Sequence, residues 1–148
     1  MVLELLAALC AALFAGAAVY INFVEHPARM SLGPAAALAE WAPSYHRATV
    51  MQASLAIVGT LAALGAWAAG AGTWWLIGGL LLGAVVPVTL LVIFPTNKQL
   101  LAPSASHDLE RVGVLLARWN RLHAIRSVLS LAALATFLLL LGAGPARS

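Results

Sequence analysis

Four stretches of this chain are long and apolar enough to cross a bilayer, and nothing else in the sequence constrains its fold as tightly. They run from about Val2 to Val24, Ala48 to Ala69, Thr73 to Phe94 and Leu122 to Leu141. A hydrocarbon core about 30 Å thick takes roughly 20 residues of helix. In lipid, backbone polar groups must be satisfied within the segment, so runs of this length become helices. Charged residues make up only 9% of the chain, against about a quarter in soluble domains. Too few remain to clothe a water-facing surface, which excludes an ordinary soluble enzyme, a disordered chain and a nucleic-acid binder. The expected fold is all-α: one domain over residues 1–148, a bundle of four transmembrane helices.

Charge placement orients the bundle. Gly70-Ala71-Gly72 leaves room only for a tight turn, flanked by Trp67, Trp74 and Trp75 as interfacial aromatics. The other two connections, Glu25–Arg47 and Pro95–Arg121, hold Arg29, Arg47, Lys98, Arg111, Arg118 and Arg121, whereas the opposite side has only Arg147. The positive-inside rule then predicts a multi-pass protein of the inner (plasma) membrane, with both termini outside and the long connections cytoplasmic. The N-terminus carries Glu4 and no basic residue, so the first span is expected to be retained rather than cleaved as a signal. Each cytoplasmic connection is expected to hold a short amphipathic helix. Pro34 opens one that runs to Trp41, with Pro43 stopping or kinking the chain. Ser106 caps the other, with an apolar stripe of Leu109, Val112, Leu116 and Trp119 that lies on the membrane or extends the fourth span. Small-residue ridges, Ala8/Ala12/Gly16 and Gly79/Gly83, suit close packing inside one bundle. Cys10, the single cysteine, permits no internal disulfide and reads as an inert buried thiol.

The polar residues converge on the cytoplasmic end. The first span ends in Asn22, Glu25, His26, Pro27 and Arg29, with Pro27 expected to break the helix. The second opens with Tyr45-His46-Arg47 and carries Thr49 and Gln52 on the Tyr45 face; the third ends in Pro95-Thr96-Asn97, with Pro87 placed to kink it. Trp119, His123, Arg126 and Ser130 share one face of the fourth. Polar groups at membrane depth turn inward, since lipid leaves them unsatisfied. A polar pocket just inside the cytoplasmic surface follows, although each residue taken singly also fits a structural ion pair or hydrogen bond, such as Glu25 with Arg29 or Arg126. His26, His46, His123 and Glu25 are metal or haem ligands by type, but no two of them lie one helical turn apart. No metal site is assigned. No acid stands behind His123 on its helix to complete a hydrolase triad with Ser127 or Ser130.

Taken in order, Asn22-Phe-Val-Glu-His-Pro-Ala-Arg29, Trp41-Ala-Pro-Ser-Tyr45, Arg47 with Met51-Gln52, Pro95-Thr-Asn97, and Trp119 with Leu122-His123-Ala-Ile-Arg126 resemble the anthrone-oxygenase-like membrane family over nearly the whole chain. Most bacterial members of that family are called domains of unknown function. The resemblance implies a cofactor-independent oxidation, by dioxygen, of anthrone-like polycyclic aromatic substrates. On that reading His123 is the base, Arg126 and Arg29 stabilise the enolate or peroxide, and Glu25 orients His123 or neutralises an arginine. Trp41, Tyr45 and Trp119 line an aromatic slot, with Asn97 and Gln52 as orienting donors and Asn22 as a further substrate contact. No cofactor is expected. The alternatives are a non-catalytic membrane protein that binds a quinone, a lipid or a partner subunit, and a haem or metal redox protein using His26 and His123. Expected partners are membrane lipid, with Arg47, Lys98, Arg111 and Arg118 at its headgroups, and a hydrophobic aromatic or quinone ligand. Homo-oligomers are left open, and a transporter is least favoured.

Overall fold

The computed structural model describes residues 1–143, so Arg147 lies outside the described residues. Four helices follow one another: α1 (Val2–Met30), α2 (Pro34–Ala71), α3 (Thr73–Leu100) and α4 (Leu109–Ala143). Helix α1 packs on α2 and α4, and α3 packs on the same two, so sequence neighbours run antiparallel around a ring. At 1.5 Å per residue, the 38 residues of α2 and 35 of α4 reach about 57 and 52 Å, well beyond the hydrocarbon core. The excess lies at the end where α1 and α3 finish and α2 and α4 begin.

Over the first turns of α1, small residues face inward and leucines outward, with Phe14 the large exception. Ala7, Ala11, Ala15 and Ala18 of α1 are buried, while Leu5, Leu9 and Leu13 point outward. Lipid tails are as apolar as leucine, so the interior takes the small side chains that let backbones approach. Within the expected Ala8/Ala12/Gly16 ridge, only Ala8 is buried; Ala12 and Gly16 face outward. One helical face cannot serve both positions, and the face carrying Phe14 makes the contact. The Gly79/Gly83 ridge does pack inward: a Cβ on Gly79 would lie 3.0 Å from Ala63 Cβ, and one on Gly83 3.1 Å from Thr60 Cγ2.

The loops are shorter than the sequence suggests. Helix α1 runs through Pro27, because a π-turn at Ile21–Glu25 widens the helix just ahead of it. That relieves the clash a proline ring makes with the carbonyl four residues back. Helix α3 repeats the device, with a π-turn at Thr89–Ile93 before Pro95. Pro87 lies three residues past an interruption at Ala84.

The two short helices expected in the connections are N-terminal extensions of α2 and α4. Pro34 is the first helical residue of α2, and Pro43 sits inside the helix without ending it. Val112, Leu116 and Trp119 pack with Trp41 and Leu100, so the amphipathic stripe beyond Leu109, which is exposed, is buried in the bundle rather than laid on the membrane. Asp108, not Ser106, caps α4 by accepting the Arg111 N–H at 3.0 Å; Ser106 is spent in a 3₁₀ turn, Pro103–His107. At the other end Gly70 and Gly72 take φ of 88° and 105°, which glycine alone adopts freely. Trp67 and Trp74 are exposed beside this turn, but Trp75 is buried and stacked on Phe137 at 5.1 Å. Gly78, one turn along from Trp75, leaves the space that the Phe137 ring fills.

Candidate functional site

Three clusters of side chains meet at the end where the helices project. The first is ionic. Arg29 is buried, and it is paired with Glu25 on its own helix and Glu40 on α2. Ser44 Oγ donates to Glu25 Oε1 at 2.7 Å. Two carboxylates therefore neutralise Arg29 and tie the end of α1 to the start of α2. Glu25 serves this arginine and makes no bond to His123.

The second cluster holds His123. Asn22 Nδ2 donates to the backbone carbonyl of Asn120 at 2.9 Å and to its side-chain Oδ1 at 2.7 Å. A carbonyl only accepts, so the Asn22 amide has one orientation, with Oδ1 as its acceptor. Ser127 Oγ donates to that oxygen at 2.6 Å. His123 Nδ1 lies 3.0 Å from the same atom and must carry the proton. Nε2 is left with its lone pair, on a ring that lines the cavity between the helices. Asn22 thus holds the histidine in one tautomer. Sequence reasoning missed Ser127 as part of this network, although its spacing of four from His123 places both on one face of α4.

The third cluster is Arg126. Its Nη2 donates to Gln52 Oε1 at 2.5 Å, and its guanidinium lies 5.2 Å from the centre of the Phe14 ring. Among the described residues no carboxylate pairs with it. The result is a cation between helices with one neutral oxygen and one aromatic face for partners.

Aromatic rings close the site. Tyr45 stacks on Trp41 at 5.0 Å, Trp119 meets Trp41 edge-on at 5.8 Å, and Trp119 also contacts the rings of His123 and His26. The cavity bounded by Glu25, Arg29, Trp41, Tyr45, Gln52, Trp119, His123 and Arg126 measures about 20 Å³, room for one water-sized molecule. Apart from Arg29 Nε, which is ion-paired with Glu40, three buried N–H groups on its lining residues have no hydrogen-bond partner among the described residues: Trp41 Nε1, Gln52 Nε2 and Arg126 Nε. All three are donors. Asn97 is buried with both amide atoms unpartnered, but it is not part of this lining. His46 is exposed and also stands outside it. Asn22 lies behind His123 rather than in the lining. Among the described residues no three His, Cys, Asp or Glu side chains gather as a metal-holding group.

Comparison with known proteins gives a family. The family model described as anthrone oxygenase matches residues 41–136. An anthrone oxygenase of Claviceps purpurea (strain 20.1) is 34% identical over 113 residues, covering 67% of this chain and 64% of that protein. The match thus spans a little under two thirds of the relative's length. No solved structure matches. The family match takes in Trp41, Tyr45, Gln52, Asn97, Trp119, His123 and Arg126, while Asn22, Glu25 and Arg29 precede it. With four helices long and apolar enough to cross a membrane, a family match over residues 41–136 and a relative 34% identical, the chain belongs to the anthrone oxygenase family.

Proposed function

We propose that this protein is a membrane-embedded, cofactor-independent oxygenase that converts an anthrone-type ketone into the corresponding quinone. The observation that carries this reading is the divided lining of the cavity. One part offers unpartnered N–H donors, from Trp41, Gln52 and an Arg126 that pairs with no carboxylate among the described residues; His123 offers an unprotonated Nε2. A matching ligand presents an oxygen that gathers negative charge and a C–H that gives up a proton.

A methylene flanked by two aryl rings and conjugated to a ketone has such a C–H. His123 Nε2 takes the proton, and the charge moves to the carbonyl oxygen, where Arg126 and Gln52 meet it. The electron-rich enolate passes one electron to dioxygen, and the resulting radical and superoxide join as a carbon-bound peroxide. Protonation gives the hydroperoxide. Loss of the second methylene hydrogen as a proton forms the new C=O, breaks the O–O bond and releases water. One oxygen atom ends in the quinone and the other in water, so the step needs no external reductant. Trp41 and Trp119 supply flat walls. Arg29, already held by two carboxylates, clamps α1 to α2 in this scheme and leaves the oxyanion to Arg126. The polar end faces the cytoplasm of a plasma membrane, on the asymmetry of the basic residues.

Purified protein in mild detergent should consume one dioxygen per anthrone and release anthraquinone. His123→Ala should slow this about 100-fold or more. Binding of anthraquinone without oxygen uptake would replace this reading with that of a passive quinone binder. A Soret band or stoichiometric metal in the purified protein would overturn its cofactor independence.

A further inference from the structure

A cavity of about 20 Å³ cannot hold three fused rings, and ligand sites for molecules of that size run to roughly 300 Å³ or more. The structure has a second cavity against the first. It measures about 110 Å³ and opens between α2 and α3, with exposed Ala53 and Leu90 in its lining, so the two cavities joined take three fused rings only when the wall between α2 and α3 gives way. Its lining is mostly apolar, and Phe14 and Ala56 close its inner side. Thr49, Gln52 and Arg126 line both cavities. The partition between them is therefore the hydrogen bond from Arg126 to Gln52.

The α3 wall of this slot is Val85, Val86, Thr89 and Leu90. Those residues fall where the helix is least regular: after the interruption at Ala84, around Pro87, and into the π-turn that starts at Thr89. Pro87 has no N–H to give to the ladder and the π-turn replaces its regular pattern, so this wall yields more readily than a regular helix would. The partition is suited to opening too, because Arg126 is held by a neutral side chain and, among the described residues, by no carboxylate.

We infer that the slot between α2 and α3 is a lateral entry site for a flat aromatic ketone dissolved in the bilayer. The ketone oxygen replaces Gln52 Oε1 at Arg126 and thereby opens the inner cavity. The inference rests on the oxygenase reading for its ligand, but its test does not require turnover.

The experiment follows anthraquinone binding to the full chain in lipid vesicles, by stopped-flow quenching of tryptophan fluorescence, since Trp41 and Trp119 line the inner cavity. Ala53→Phe narrows the slot from its lipid side. It should slow association and dissociation about ten-fold each and leave Kd within two-fold. Leu90→Ala widens the slot and should speed association at least two-fold. Leu139→Phe, at an exposed position on α4 away from the slot, should change neither rate. Unchanged rates in both slot variants, or no quenching in the wild type, would overturn the lateral route. Slot-dependent rates without oxygen uptake would uphold the route and sink the oxygenase reading. Oxygen uptake with rates indifferent to both variants would do the reverse.

Discussion

At the scale of single residues, the site turns on one amide and one guanidinium. Asn22 was expected to touch substrate; in the structure its bonds go to His123, Ser127 and Asn120. Asn22→Leu should therefore lower kcat about 100-fold with little change in KM, because the imidazole loses the anchor that aims Nε2 at the cavity as well as its tautomer preference, the mixed tautomers alone costing only about a factor of two. Asn22→Asp keeps an acceptor for His123 Nδ1 and should retain activity within ten-fold. Nitrogen-15 NMR of the histidine ring checks the cause directly: Nδ1–H in the wild type, a mixture in Asn22→Leu. Arg126→Met separates charge from shape. It should cut turnover about 100-fold or more, yet weaken binding of neutral anthraquinone less than ten-fold, since the cation matters most when the enolate forms. Oxygen uptake and a quinone titration on the same preparation decide it; equal losses in both would make Arg126 a plain binding residue. The chemical types at these positions were legible in the sequence. The pairing was not, because residues about one hundred positions apart, such as Asn22 and Ser127, share no local signal.

At the scale of elements, the bundle depends on glycines where helices cross and on π-turns ahead of prolines. A Cβ on Gly59 would come within 2.7 Å of Leu82 Cδ2 and 2.8 Å of Cys10 Cβ, at a point where α1, α2 and α3 meet. Gly59→Ala should cost about 1–3 kcal/mol through overpacking. Thermal or denaturant unfolding in detergent reads that loss, and kcat per folded molecule should be unchanged because the position is outside the site. Pro27 was expected to end α1, and the general rule for helix interiors supports that expectation. The helix continues because the π-turn at Ile21–Glu25 absorbs the strain, and it thereby carries Arg29 to Glu40. A sequence shows the proline and not the compensation. The same holds for the two expected short helices: amphipathic spacing was readable, but continuity with α2 and α4 was set by packing of Trp41 against Trp119 and Leu116.

At the scale of the whole molecule, the antiparallel ring places the ends of α1 and α3 beside the starts of α2 and α4, so one end of the bundle collects nearly every buried polar group. Its proposed orientation in the membrane rests on the asymmetry of the basic residues. In a Cys10→Ala background, Ala69→Cys should react with a membrane-impermeant maleimide added outside right-side-out vesicles, while Ser31→Cys should react only after the membrane is opened. The opposite pattern would invert the proposed topology and place the polar end outside.

The sequence by itself determined that this chain is helical, that it crosses a membrane four times and which residue types stand at the polar end. Those properties follow from run length, backbone hydrogen bonding in lipid and the cost of burying charge, all of which act locally along the chain. Only the tertiary structure decided which partner each polar group takes. It gave Arg29 two carboxylates and Arg126 none among the described residues, set Asn22 behind His123, and turned Trp75 from the interface into the core. Those outcomes depend on helix phase, on the register shift of a π-turn and on which small residues let two backbones approach. Each is a relation between distant segments that exists only once all four helices are packed.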